Sequence, residues 1–214
     1  MAAEALIRKA DDRALTDAAR ALAHGGVVAF PTDTVYGLAC ELFNEKAVHQ
    51  IYRIKGRPAH LPLIAMLASI EQWSQVGASL PDVALRYMER YWPGPLTIII
   101  PAREDIPKSV LGEGTSIGLR IPDLFAARRL LFLAGKPLAT TSANRSGQPA
   151  ACTAEEVAHQ LATSVDLILD GGPCMGAVPS TVVDCTVDPP RILREGPITA
   201  AMLAEIGPAP VKEG

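Results

Sequence analysis

Lys55-Gly56-Arg57-Pro58 sets two cations one residue apart, directly after a helical pattern. On an extended segment, side chains two apart emerge on the same side, so the pair would converge on one anion. An ammonium is a mobile point charge and a guanidinium a rigid fork that holds two oxygens, a combination suited to a polyphosphate. The plainer reading is a pair of solvated charges complementing the dipole of the helix before them. Upstream, the segment PTDTVYGL (31–38) crowds Thr32, Asp33, Thr34 and Tyr36 into a turn after a buried run. Those polar groups either bond their own backbone in a hairpin-like turn or face a ligand.

Two further strings carry small hydroxyl and amide groups. Thr140-Thr141-Ser142-Ala143-Asn144 follows the apolar stretch Pro137–Ala139, and Pro179-Ser180-Thr181 opens another apolar run. Such groups can bond phosphate oxygens or an adenine edge without adding charge; alone, the first string is more often an Asx or Ser turn. Arg120, within Gly118-Leu119-Arg120-Ile121-Pro122, and Arg194, after Ile192-Leu193, stand among apolar neighbours. An arginine in that setting needs a partner, either a carboxylate or an anionic ligand.

Other chemistries find less support. No GxxxxGK[ST] loop occurs, and the glycines at 112, 114 and 118 lead into a strand-like segment where a dinucleotide loop would open a helix. The four histidines, His24, His49, His60 and His159, flank no nucleophile and share no metal-ligand spacing. Asp33 and Asp184 could approach a cation, but their spacing does not define a metal site, and the metal ligands stay unknown. The four cysteines, Cys40, Cys152, Cys174 and Cys185, lie far apart without a CxxC pair, so buried free thiols in a reducing compartment are expected.

The elements that must position these groups follow from periodicity. Leu15, Ala18, Ala19, Leu22 and Ala23 share a helical face that Gly25-Gly26 ends. Helices are also predicted over Glu45–Ile54, after Pro81 as far as Trp92-Pro93-Gly94-Pro95, near Leu124–Ala134, and after a capping box of Thr153 and Glu156. Thr199 caps a short final helix, with Ile198 and Leu203 as its hydrophobic staple. Strands are predicted at Val27–Phe30, Pro62–Leu67, Leu96–Ile100, Ser116–Ile121, Pro137–Thr140, Val165–Leu169 and Thr181–Asp184. Several succeed one another without a helix between, which points to α/β (α+β) class, a mixed twisted sheet flanked by helices.

Composition bounds the function. The 214 residues are 49% hydrophobic and 20% charged, with net charge -3 and 5% aromatics. That suits a globular core and disfavours a protein that wraps nucleic acid non-specifically. The first residues lack the apolar run of a signal peptide, and the apolar run Leu96–Ile100 falls far short of the about 20 residues needed to span a bilayer. The expected location is the cytoplasm, without membrane contact.

Taken together, PTDTVYGL, KGRP (55–58), WPGPLT (92–97), the arginine of GLRIP (118–122), TSAN (141–144), STVVD (180–184) and ILREGPI (192–198) resemble the YrdC-like family, in its order and at its separations. The resemblance runs from about Gly25 to Pro197 and implies a single domain over 1–214, with a twisted mixed parallel/antiparallel sheet around a large, positively lined concave cavity. It implies L-threonylcarbamoyladenylate synthesis: L-threonine, bicarbonate and ATP, with Mg2+, give threonylcarbamoyl-AMP and pyrophosphate. A separate threonylcarbamoyl-transferase complex then modifies adenosine 37 of tRNA.

Carried over by position, the resemblance implies that Lys55 and Arg57 bind the ATP phosphates and carry the catalysis. Ser116, Ser142, Asn144 and Arg194 would complete the nucleotide site. Thr34, Arg120, Thr140 through its backbone, and Ser180 would bind L-threonine. The chain departs from the family pattern at Leu61 and Met66, where longer members carry Asn and His, and at Ala150, where some carry a hydroxyl. It resembles the short bacterial type. The competing class is a non-catalytic double-stranded RNA-binding or ribosome-maturation module contacting tRNA or other RNA, disfavoured by acidity and few aromatics. A carbamoyl-phosphate-using transferase is a third reading.

Overall fold

The helical faces read from periodicity are the ones that pack. Leu15, Ala18, Ala19 and Leu22 are buried on helix α1 (Asp12–Ala23), capped by the Asp11 carboxylate, which accepts from the Ala14 amide at 2.8 Å. Val48, Ile51 and Tyr52 are buried on α2 (Glu45–Lys55), begun by an Asn44 cap. Each large aliphatic side chain so buried stabilises the fold by roughly 1.5–3 kcal/mol before entropy is counted. The computed structural model describes residues 7–161, 165–174, 176 and 178–212.

The strands are β1 (Ile7–Lys9), β2 (Val28–Phe30), β3 (Gly37–Glu41), β4 (Ile64–Met66), β5 (Leu96–Pro101), β6 (Ser116–Arg120), β7 (Leu138–Ser142), β8 (Leu167–Asp170), β9 (Thr181–Asp184), β10 (Arg191–Arg194) and β11 (Val211–Lys212). The remaining helices are α3 (Asp82–Tyr91), α4 (Lys108–Leu111), α5 (Phe125–Ala134), α6 (Ala154–Leu161) and α7 (Ala200–Ala204), with a 3-10 turn at Ile70–Gln75. All these strands join one sheet in the order β1-β8-β2-β3-β7-β4-β6-β5-β9-β10-β11. Parallel pairs (β2 with β8, β4 with β6, β5 with β9) alternate with antiparallel ones (β3 with β7, β4 with β7, β5 with β6). The fold is the mixed α/β sheet flanked by helices that the sequence led us to expect.

One face of this sheet packs under α2, α3 and α6 through Leu38, Ala65, Ile98, Leu119 and Ala139. The other face is divided. Over β2, β3 and β7 it is covered by α1 and α5, which bury Phe30, Ala39 and Leu138. Over β4, β5, β6 and the end of β7 the same face lines a hollow with Thr97, Ser116, Gly118, Arg120, Thr140 and Ser142. Because strand residues two apart share a face, the polar positions on these strands are the ones apolar residues fill beneath the helices.

Strand β3 is the element the pattern conceals. It starts at Gly37, and four of its five residues are buried, so it shows no alternation and reads as part of the turn before it. The β2–β3 register, with Phe30 opposite Gly37, makes Pro31–Tyr36 a hairpin connection. Strands β1, β10 and β11, helix α4 and the 3-10 turn were likewise not predicted; each spans six residues or fewer. Thr153 does cap α6, accepting from the Glu156 amide at 3.2 Å, while the Glu156 carboxylate reaches back to the Cys152 amide at 2.6 Å. Of the four thiols, Cys40 and Cys185 are buried and Cys152 and Cys174 only half-buried, and all are free.

Candidate active site

The hollow has a volume of about 410 Å³ and gathers residues from across the chain. Thr32, Thr34 and Tyr36 come from the hairpin connection, Arg57 from the segment after α2, Arg120 from the end of β6, and Arg194 from the end of β10. Thr97, Ser116, Thr140, Thr141, Ser142 and Ser180 complete the polar lining. No carboxylate lines it among the described residues. Gly118 keeps the floor low: a Cβ there would sit 3.0 Å from Ile64 Cγ2 and 3.1 Å from Thr97 Cγ2.

Arg120 is 3% exposed, and its guanidinium is held from three directions. Nε donates to the Gly94 carbonyl at 3.0 Å, one terminal nitrogen to Thr34 Oγ1 at 2.9 Å, and the other to the Asp33 carboxylate at 2.6 Å. The Asp33 carboxylate also accepts from the Asp123 amide at 3.1 Å. These contacts use three of the five donors of the fork. Burial lowers the Arg120 pKa, and Asp33 acts against that shift. Asp33 is thus a counter-ion, which answers why an arginine stands among apolar neighbours.

Arg194 donates through Nε to the Ser180 carbonyl at 3.0 Å and through a terminal nitrogen to Ser180 Oγ at 3.2 Å. Burial lowers its pKa, and the charge of Arg120 lowers it further. Arg57 is perched on backbone: it donates to the Leu61 carbonyl at 3.4 Å and the Pro62 carbonyl at 3.0 Å. Its pKa too is lowered by burial. Three guanidinium groups therefore face one space, each taken partly out of water, which is the electrostatic form of an anion receptor.

Lys55 departs from the sequence-based expectation of its geometry. It is the last residue of α2, and Gly56 takes the left-handed conformation (φ 60, ψ 36), so the segment is not extended and the two cations do not lie side by side. The Lys55 ammonium, 3% exposed, lies outside the lining of the hollow and donates to the Ser142 carbonyl, the Asn144 carbonyl (2.7 Å) and Asn144 Oδ1 (3.3 Å). Its own carbonyl accepts from the Ser146 amide at 2.8 Å. Burial, with Arg57 adding like charge, lowers the Lys55 pKa to about 7.

Asn144 likewise stands behind the wall. It donates to the Arg145 and Gln148 carbonyls at 2.9 and 2.7 Å and accepts from Ser142 Oγ. Lys55 and Asn144 together clamp the turn that carries Ser142. Of the residues expected at the site, Thr34, Arg57, Ser116, Arg120, Thr140, Ser142, Ser180 and Arg194 meet in the hollow, and these two support it. Met66 and Ala150 line the hollow, while Leu61 serves through its carbonyl. Thr97 was not singled out from the sequence, although a hydroxyl inside Leu96–Ile100 was a visible anomaly. Asp184 turns away, its carboxylate accepting from the amide and hydroxyl of Thr186 at 2.8 and 2.6 Å.

Fold and site together define a mixed-sheet α/β protein with one hollow lined by three arginines and a set of hydroxyls, a lining suited to an anionic small molecule. Residues 20–196 match the Sua5–YciO–YrdC family, described as telomere recombination. The chain is 42% identical over 207 residues to threonylcarbamoyl-AMP synthase of Bacillus subtilis, covering 95% of this chain and 60% of that protein. It is 41% identical over 179 residues to threonylcarbamoyl-AMP synthase of Pyrococcus abyssi, with 84% and 53% covered. The structure of P. abyssi Sua5 complexed with L-threonine superposes with a TM-score of 0.93 at 35% identity, over 97% of this chain and 61% of that one. The chain belongs to the Sua5–YciO–YrdC family. It spans 60% and 53% of the lengths of these two curated relatives.

Proposed function

We propose that the protein is a nucleotidyltransferase that makes L-threonylcarbamoyladenylate and pyrophosphate from L-threonine, bicarbonate and ATP. The observation that carries this reading is the convergence of three arginines and a ring of hydroxyls, drawn from separate elements, on one hollow lined by no carboxylate among the described residues. Its volume of about 410 Å³ falls within the range of small-molecule sites. The names of the relatives and the threonine complex support the same reading. Residues 1–214 are read as one domain, since all the described strands share a sheet.

The chemistry asks for positioning and charge stabilisation. Threonine's amine and bicarbonate give a carbamate with loss of water. A carbamate oxygen then attacks the α-phosphorus, and pyrophosphate leaves. Negative charge grows on the departing phosphates, where preorganised cations lower the barrier most. Arg57 and Arg194, with Ser116 and Ser142, would hold the nucleotide. Arg120, Thr34, Thr140 and Ser180 would hold L-threonine. Lys55 and Asn144 would act by fixing the Ser142 turn.

Among the described residues, no group of three His, Cys, Asp or Glu could hold a metal ion. Asp33 is already engaged by Arg120. Mg2+ therefore fits as a companion of the ATP phosphates, where it would neutralise charge. No helix among the described residues is long and apolar enough to cross a membrane. We place the enzyme in the cytoplasm, supplying a separate transferase complex that acts on adenosine 37 of tRNA.

The test is one incubation with ATP, L-threonine and bicarbonate, following threonylcarbamoyl-AMP and pyrophosphate while each component is omitted in turn. Product is expected only in the complete mixture. Arg57→Ala should lower turnover by on the order of 100-fold with the fold retained. Pyrophosphate release at the wild-type rate in Arg57→Ala would overturn the phosphate role of that residue. Release that ignores threonine would overturn the reaction.

A further inference from the structure

Thr97 is 1% exposed, lines the hollow from β5, and places Oγ1 2.8 Å from Ser180 Oγ. The contact is held by the parallel pairing of β5 with β9, in which Leu96 lies opposite Thr181 and the Thr181 amide donates to the Pro95 carbonyl at 2.9 Å. Ser180 Oγ has a second neighbour, the Arg194 guanidinium at 3.2 Å, which can only donate. One acceptor site of Ser180 Oγ is therefore taken whatever Thr97 does.

Two arrangements of the remaining protons are possible, and they differ in which hydroxyl is left to face the hollow. When Thr97 donates, both acceptor sites of Ser180 Oγ are filled and its own proton is left to point elsewhere. When Ser180 donates, the proton of Thr97 is the one left. Both hydroxyls line the hollow, so either way the pair offers one O–H to a ligand; an anionic oxygen beside Ser180 selects the first arrangement, in which Ser180 donates to it and keeps no open acceptor site.

Resting on the reading of the hollow as a synthase site, we infer that Thr97 is a positioning residue that turns Ser180 into a directed hydrogen-bond donor for an anionic oxygen of the amino-acid substrate. Without Thr97, the Ser180 hydroxyl is free to rotate and to accept, and it loses its preference for a carboxylate or carbamate oxygen. Arg194 is tied to the same oxygen, so the relay Thr97–Ser180–Arg194 links the amino-acid side of the hollow to the side assigned to the nucleotide.

A double-mutant cycle on the purified protein tests this. Thr97→Val keeps the branched shape and removes the hydroxyl. It should raise the KM for L-threonine roughly 5- to 10-fold with kcat changed less than about twofold, the scale of one lost hydrogen bond. Thr97→Ser should restore the wild-type KM. In a Ser180→Ala background Thr97→Val should add nothing further, because the two act through one contact. Additive effects, or a Thr97→Ser variant as impaired as Thr97→Val, would overturn the inference. Should Thr97→Val fail to fold, Thr97→Cys replaces it in the same cycle as the weak donor. A wild-type protein that makes no product would remove the proposed function and this inference with it; an active wild type with an additive cycle removes the inference alone.

Discussion

Lys55 is a cation spent on architecture. Its ammonium meets carbonyl and amide oxygens of Ser142 and Asn144, and its carbonyl receives Ser146, so one residue joins the end of α2 to both sides of the turn after β7. Burial and the like charge of Arg57 bring its pKa down to about 7 from 10.5. Between those values the folded chain binds fewer protons at Lys55 than the unfolded chain does, so the contribution of this group to stability rises with pH across that window. An NMR titration of the Lys55 ammonium should place its midpoint near 7. Arg57→Gln should move that midpoint upward, because a positive neighbour is removed. A downward or absent movement would refute the coupling.

At the scale of elements, the perch of Arg57 depends on a glycine far from it in sequence. Gly112 ends α4 with φ +64, and a Cβ there would lie 2.2 Å from the His60 carbonyl oxygen. That contact presses α4 against the segment whose Leu61 and Pro62 carbonyls hold Arg57, and Tyr52 bridges the Leu61 and Ser109 carbonyls at 2.8 Å each. Gly112→Ala must shift backbone on one side or the other. It should lower stability by roughly 1–3 kcal/mol in denaturant titration and raise the KM for ATP, since Arg57 moves with its perch.

Helix boundaries were legible in the sequence because caps and apolar stripes are local, as with Thr199, whose hydroxyl accepts from the Met202 amide at 3.3 Å. Most residues of the site were legible through motif resemblance, and Arg120 and Arg194 also through charge out of place. The lateral arrangement was not legible. Whether Lys55 and Arg57 share a side turns on the left-handed Gly56, and which hydroxyls face the hollow turns on strand order, neither of which is written locally. Strand β3 escaped because burial on both faces erases alternation.

Across the whole molecule, one sheet face carries both a helix-covered core and the hollow. Leu131 of α5 is fully buried with Leu15, Leu22 and Phe30 in the covered part. Leu131→Ala should cost about 2–5 kcal/mol of stability, read by denaturant unfolding, while leaving the KM values for ATP and L-threonine near wild type. A proportional rise in both KM values would show that the two parts of the face are mechanically coupled.

Beyond burial, the charge of Arg120 lowers the pKa of Arg194, so two guanidinium groups that share a hollow repel each other until an anion lies between them. On the proposed function, a bound nucleotide would supply that anion. Thermal unfolding should record this: ATP at 100 times its Kd is expected to stabilise the native state by about 2.7 kcal/mol, and Arg194→Gln should gain less from the nucleotide.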